Sequence, residues 1–515
     1  MKEDDENRGG RGGRAEGAIA AAVAFLVSAI AGAQEIPKAP VPPSPFLPVV
    51  YRYADTLIAK GRDTYGPQKT GLFLSALDRA ALAPLATRPP APEGVQEGDR
   101  VGSWGEGKGG PLVGANLQHD ENLLRLLYTL SELSGKPIYR DAADGALKWF
   151  LENAPSPATH LLPWGKNLSW DILKDEPIAA DGSAAGTHEF FRPWLLWDRS
   201  FDLAPEPSAR AALGIRRHLH DLGTFNGRAT FRETSGVFLG MTSPRHGGFF
   251  IRTWAVAHAR TKDERFLKAI EAVLGRYEAS RRAGTGLIMR AVPSVSSSSD
   301  LAEDRPAESL SLAIDCHGAA HRAPEPLAGR LRAFAAREDE IFCALPHELK
   351  RTGGFVESAD AATGEPTGPH TARWSGRYPG HTTAQVALLC VSRYENTGKV
   401  AYRELIHAAA DLYLDSLPGE KVDDAWPATF GHAISLELAA WRSTARQAYL
   451  DCARKLANRA VEQFFGSSPL PRASLKTDHY ESITGADTLA LALVDLHLQI
   501  LAITAVRCPP NSADR

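Results

Sequence analysis

Histidine, arginine and aromatic side chains recur in a series of short, Gly-rich segments of this chain, and their types suit one kind of ligand. GANLQHDEN carries Asn116, His119, Asp120 and Glu121, WGKNLSWD carries Trp164, Trp170 and Asp171, and GTHEFFRPW carries His188, Glu189 and Arg192. SPRHGGFF brings Arg245 and His246, HTARWSGRYPGHTTA brings Arg373, Trp374, Arg377, Tyr378 and His381, and KTDHYESITGAD brings His479 and Tyr480. A further segment, DDAWPATFGH, is built in the same way. Aromatic rings offer flat apolar surfaces to the C–H faces of a sugar, while Arg, His and carboxylates supply the directional bonds that its hydroxyls need. The segments together predict a saccharide site.

Each motif also has a plain structural use. Asp120 is placed to cap the helix that follows it, and Thr484 with Asp487 has the spacing of a capping box. Gly247-Gly248 would let two helices approach closely, Trp194 and Trp197 read as core, and His258 and His407 sit on Ala-rich helical faces where a histidine is structural. The pairs His188-Glu189 and Arg245-His246, each followed at once by aromatics at the start of a helix, are the ones we assign to chemistry.

The elements that must hold these segments repeat. From Asn122, NLLRLLYTLSELSGKPIYRDAADGALKWFLEN has apolar residues at helical spacing on both sides of a Ser-Gly-Lys-Pro turn, hence two helices joined tightly. The shape recurs from Phe250, Ala384 and Ile434, and more weakly from Phe191 and Glu308, giving six hairpins. Two helices stay unpaired, near 49–61 and 485–506, and their pairing would close a ring of seven. A lone hairpin cannot bury its apolar faces, so repeated hairpins stack into a solenoid or close on themselves. The unpaired ends, the long variable linkers and the absence of a strict period favour closure, an all-α (α/α) toroid of six to seven helical hairpins. In such a ring every first helix starts on the same rim. The polar segments precede those helices, so they must gather around one mouth, whereas the short turns on the other rim leave little room for chemistry.

The 515 residues, 43% hydrophobic and 23% charged with a formal net charge of −3, suffice for a large core. They contain no basic block of the sort a nucleic-acid partner requires. Arg8, Arg11 and Arg14 precede an Ala-rich apolar stretch ending Ala31-Gly32-Ala33, which predicts a signal peptide over 1–33 and a periplasmic or secreted protein with no membrane span after cleavage. A proline-rich leader over 34–48, a single toroid domain over 49–508 and a short tail over 509–515 complete the division. Five cysteines without a Cys-x-x-Cys pair read as small core residues, and no structural zinc site or other metal site is visible.

Asp63-Thr64-Tyr65-Gly66 with Gly71-Leu72-Phe73, Asn122-Leu123-Leu124-Arg125 with the turn after it, Leu162-Pro163-Trp164-Gly165 and Thr187-His188-Glu189 resemble a family of exported bacterial helical-toroid proteins. That family is associated with uronate polysaccharide lyases of the glucuronan and alginate type, and the likeness covers most of the mature chain. It implies toroid architecture and β-elimination on an acidic polysaccharide or oligosaccharide. Elimination requires neutralisation of the C6 carboxylate, a base for the C5 proton and an acid for the departing oxygen. Asn116, Arg245 and Arg377 then face the carboxylate, His188 or His246 is the base, and Tyr378 or Tyr480 the acid/base. Glu189 orients a histidine, and His119, Trp164, Trp374 and His479 complete the substrate contacts. No cofactor is required; calcium is compatible, although no Asp-rich loop demands it. Three other readings stay open, since fold does not choose among them. One is a glycoside hydrolase using two of the rim carboxyls Glu121, Asp171, Glu189, Asp424, Asp478 and Glu481. The others are a sugar epimerase with two histidines and a non-catalytic carbohydrate-binding protein.

Overall fold

The computed structural model describes residues 44–101, 112–166, 168–178, 190–217, 243–288, 304–350, 353–374, 380–415 and 424–511, with the backbone alone at 179, 187–188, 218, 231–232 and 303. The expected signal peptide and residues 34–43 of the leader lie outside these residues, and the rest of the leader runs into a helix that begins at Phe46. Fourteen helices occur among them, alternating between an inner and an outer layer. The inner helices are α2 (Glu121–Ser134), α4 (Trp197–Leu203), α6 (Pro244–Thr261), α8 (Pro306–Ala320), α10 (Thr383–Thr397), α12 (Pro427–Thr444) and α14 (Ala486–Ile500). The outer ones are α1 (Phe46–Lys60), α3 (Pro137–Asn153), α5 (Pro205–His218), α7 (Glu264–Ala279), α9 (Leu327–Ala344), α11 (Val400–Asp411) and α13 (Gln447–Ala460).

Local sequence explains where these rods begin and end. Proline opens α3, α6, α8 and α12, where its missing N–H costs nothing. Gly135 and Gly398 stop α2 and α10 in the left-handed conformation, with φ of 69° and 66°. Thr382 and Gln385 form a reciprocal capping box on α10. The outer helices carry one apolar stripe. In the inner ones nearly every turn is buried, because each is covered on the ring side, the outer side and the core.

Each inner helix but the last packs on the outer helix that follows it, and α6, α8, α10, α12 and α14 pack successively on one another. The short α4 bridges α3 and α6, while α14 packs on both α1 and α2, so the ring is closed by its first and last helices. The fold is therefore an (α/α) toroid of seven helical pairs. Glycine makes one of these approaches possible: a Cβ on Gly248 of α6 would lie 3.1 Å from the Leu312 backbone of α8.

Closure also relocates two expected caps. Asp120 precedes α2 but its side chain makes no cap bond, and Gly485, not Thr484, is the N-cap residue of α14. Asp487 instead reaches across the seam: its Oδ2 accepts from the Leu123 backbone N–H at 2.9 Å, and Thr488 Oγ1 accepts from Asn122 Nδ2 at 3.0 Å.

The long linkers pair with one another in short antiparallel strands. β1 (Ala76–Leu77) pairs with β9 (Tyr480–Glu481), and β2 (Gly114–Ala115), β3 (Leu168–Asp171) and β4 (Glu176–Ala179) form a three-stranded sheet. β5 (Thr187–His188) pairs with β6 (Phe231–Arg232), and β7 (Glu303–Asp304) with β8 (Ala359–Asp360). All five cysteines are free, three of them buried. Among the described residues no helix is long and apolar enough to cross a membrane.

Candidate active site

A cavity of about 950 Å³ not filled by atoms, its open mouth included, lies where the inner helices begin. Its wall takes Gly94, Val95 and Asp99 from the linker before α2, Phe191 and Arg192 from that before α4, and Arg245 from the first turn of α6. Gly380, His381, Thr382 and Gln385 come from the start of α10, Trp426, Thr429 and His432 from that of α12, and Ile483 and Gly485 from that of α14. The capping box therefore orients both its members and the adjacent His381 on this wall. Gly485, at φ 74°, has no room for a side chain, since a Cβ there would stand 2.6 Å from that of Ala428. With several helix N-termini converging, the wall presents positive partial charge to whatever enters.

One side of the wall is fixed by a buried ion pair. Arg100 donates from Nε and Nη2 to the two carboxylate oxygens of Glu481 at 2.8 and 2.9 Å, while His479 Nε2 lies 2.8 Å from Glu481 Oε2. Burial would raise the Glu481 carboxyl, but hydrogen bonds from His479 and Arg100 outweigh it and hold the group below the usual range. The pair ties the linker before α2 to the segment before α14 at the point where β1 meets β9.

The polar groups inside are mainly cations and neutral imidazoles. Arg245 Nε is buried with no hydrogen-bond partner among the described residues, and no carboxylate there pairs with its guanidinium. His381 is pushed down to about 4, first by burial and then by the Arg245 cation. His246, buried against Phe249 with ring centroids 5.6 Å apart, is pushed to about 3 by the same two effects. His119, edge-on to Phe191 at 4.9 Å, is pushed to about 3 by burial and by Arg192. All three imidazoles are uncharged at neutral pH. Among the described residues only one carboxylate, Asp99, lines the cavity, and it stands 3.8 Å from Lys166 Nζ. Glu308 lies behind the wall, accepting from Ser243 Oγ and 4.0 Å from Arg305.

Of the sequence-expected site residues, Arg245 lines the cavity and His246 follows it one position deeper. His119 is buried behind Phe191. Asn116 is bound mainly to backbone: Nδ2 donates to Gly165 and Leu168 carbonyls at 2.7 and 3.1 Å and lies 3.4 Å from His119 Nε2, and Oδ1 accepts from Gly165 N at 3.2 Å, so it pins that loop. Trp164 sits in an aromatic core with Trp194 at 4.9 Å and Phe190 at 5.9 Å, and Trp374 packs on Tyr413 at 5.0 Å, which closes both indoles off from a sugar face. His479 supports Glu481. Tyr480 is buried with its hydroxyl 3.4 Å from that of Tyr53, away from the lining. His188 lies on β5, described by its backbone only, and Glu189, Arg377 and Tyr378 fall outside the described residues.

The lining adds groups that sequence reasoning placed on the rim without assigning them chemistry, chiefly His381 and Arg192, and one it passed over, Asp99. His381 carried a signal in its position one residue before a Thr-x-x-Gln capping box. Asp99 carried none. An unpaired guanidinium beside an uncharged imidazole can bind an anion and accept a proton next to it.

The model of a family described as periplasmic pectate lyase matches residues 94–195, the stretch that carries Asp99, His119 and Arg192. Among solved structures the chain is similar to a cellobiose 2-epimerase from Bacillus thermoamylovorans, with 9% identity over 87% of this chain and 99% of that one and a TM-score of 0.48. It is also similar to an unsaturated glucuronyl hydrolase from a Bacillus species, with 14% identity over 58% and 83% and a TM-score of 0.37. A third is a GH76 α-mannanase from Bacteroides thetaiotaomicron, with 9% identity over 89% and 97% and a TM-score of 0.44.

Proposed function

We propose that the protein is an exported polysaccharide lyase that cleaves a uronic-acid polymer by β-elimination in the central cavity. The observation that carries this is Arg245, whose buried Nε has no hydrogen-bond partner among the described residues, next to the uncharged imidazole of His381. Arg245 and Arg192 receive the C6 carboxylate, and neutralising it stabilises the carbanion that forms at C5. His381 Nε2 or Nδ1 takes the C5 proton, the C4–O bond breaks, and its electron pair leaves with the oxygen as the C4–C5 double bond forms. The bound carboxylate cancels part of the Arg245 field, so the imidazole becomes a stronger base when substrate is present. Where the C5 hydrogen and C4 oxygen share a ring face, as in glucuronate, His381 hands the same proton to the leaving oxygen. In galacturonate they lie on opposite faces, and a donor across the cavity is required, for which His432 on the lining is our candidate.

A glycoside hydrolase needs two carboxyls across the scissile bond; on the described lining Asp99 faces Lys166 at 3.8 Å. The matching family description adds galacturonan to glucuronan and alginate as substrates to try. The Ala-rich segment at 18–33 supports export to the periplasm or beyond. Polygalacturonate, glucuronan and alginate should be incubated with the protein while ultraviolet absorbance and reducing ends are recorded. Absorbance and reducing ends rising together on at least one polymer is the expected result. Reducing ends alone would mean hydrolysis, and an inverted sugar centre would mean epimerisation.

A further inference from the structure

A second cavity, with about 1050 Å³ of space not filled by atoms, lies where α1 ends, between residues 58–71 and Ala81–Ala83. Outer helices run back toward the mouth, so the C-terminal end of α1 shares the rim on which the inner helices begin. The loop is anchored there, with Gln68 N donating to Asp175 Oδ2 at 2.8 Å beside the β3–β4 turn. It also carries Asp63-Thr64-Tyr65-Gly66, a motif that the central cavity does not use.

Three cations line this groove. Arg62 is half-buried and held by one bond, Nε donating to the Gly71 carbonyl at 3.0 Å. Its Nη2 lies where a Cβ on Gly71 would come within 2.4 Å, and 3.7 Å from the Cβ position of Gly145 on α3. Gly71, at φ 71°, thus leaves the space that the guanidinium fills, and the two terminal nitrogens make no hydrogen bond among the described residues. Lys69 Nζ donates only to the carbonyls of Thr64 and Gly66, at 2.6 and 2.9 Å, and Lys60 is exposed. Among the described residues the one carboxylate on this lining, Asp63, is buried and occupied by Thr70 Oγ1 at 2.6 Å and the backbone N–H of Tyr65 at 3.0 Å. Burial lowers the Arg62 pKa, the mark of a cation desolvated without a compensating anion. Tyr65, 39% exposed, offers a ring beside these charges.

We propose that this groove is a second saccharide subsite, in which the Arg62 fork grips the carboxylate of a uronate unit and Tyr65 stacks on its ring, while another unit of the same polymer occupies the central cavity. The proposal rests on the reading of that cavity as a uronate site. Two linked sites on one chain strengthen binding of long oligomers without altering that of short ones.

The test is calorimetric titration of a galacturonate trimer and a long galacturonate oligomer into the His381→Ala protein, chosen so that the sugar is not consumed, alone and combined with Arg62→Met or Arg245→Met. Arg62→Met should weaken the long oligomer about tenfold and leave the trimer unchanged. Unchanged affinity for the long oligomer would overturn the subsite, while loss of trimer binding in Arg245→Met would still uphold the central cavity. If instead Arg62→Met weakens the long oligomer but Arg245→Met affects neither, the subsite stands and the reading of the cavity falls. Absence of binding by any uronate removes both. Inorganic phosphate that displaces the oligomer as well as galacturonate does would show a general anion site and overturn the sugar assignment. Should Arg62→Met fail to fold, Lys60→Glu, at an exposed position, must produce the same length-dependent loss.

Discussion

Asp487 on the last helix caps the second one: its Oδ2 accepts the Leu123 backbone N–H at 2.9 Å, while its Oδ1 accepts that of Thr488 at 2.8 Å. The third residue of α2 thereby gets from the far end of the chain the acceptor that its own N-cap residue, Asp120, does not provide. Asp120 stands nearby, its carboxyl pushed far up by burial and then by the Asp487 charge.

Asp487→Ala is therefore expected to lower stability by about 1–2 kcal/mol, the scale of a lost N-cap, even though the residue is not beside the helix it caps. Asp120→Asn should cost much less, because that side chain makes no cap bond to lose. Urea denaturation of both variants checks this, and equal losses would remove the distinction.

Asp304, at the entry to α8, is pushed up to about 8 by burial and the neighbouring Glu338 charge, and accepts Ser309 Oγ at 3.0 Å. Since its ordinary value is 3.8, the folded protein holds a proton there that the unfolded chain releases. Its contribution to stability is thus complete below about 4 and is lost as pH rises through about 8. Asp304→Asn should match the parent near pH 4 and become progressively more stable relative to it up to pH 8, beyond which the gap stays constant. Thermal melts of the two proteins across that range would show it. A gap that shrinks with rising pH would mean that the carboxyl is ionised in the fold.

For the reaction itself, His381→Ala should lower kcat by at least about a hundredfold with the melting temperature unchanged. The free imidazole sits near 4, held there by burial and by Arg245, so kcat/KM should fall as pH drops through about 4 and hold above it. Removing the cation in Arg245→Met should raise KM and move that acid limb upward, toward the ordinary histidine value. A limb that does not move, or a His381→Ala enzyme at full activity, would put the base elsewhere.

The rods and their pairing were legible because burying one face of a helix imposes a 3.6-residue period, and turns such as Ser134-Gly135-Lys136-Pro137 mark their ends in the same few residues. Closure followed from two helices left without partners. The gathering of linkers at one rim followed from connectivity, and Arg245, singled out for its place at a helix start, does line the cavity. What local pattern does not carry is partnership at long range. Asp487 serves a residue 364 positions away and Arg100 grips Glu481 across 381, so a spacing rule that searches three residues ahead assigned Asp120 and Thr484 caps they do not make. Trp164 and Trp374 failed as sugar platforms for a related reason. An indole on a linker looks the same in sequence whether it faces a cavity or fills the space between Phe190 and Trp194.

Because α14 packs on both α1 and α2 and so closes the crown, assembly cannot finish until the final rod has been synthesised. Until then the apolar faces that α1 and α2 bury against α14 have no partner. A product shortened before Gly485 would be an open arc prone to sticking to its own kind, and not a smaller working enzyme.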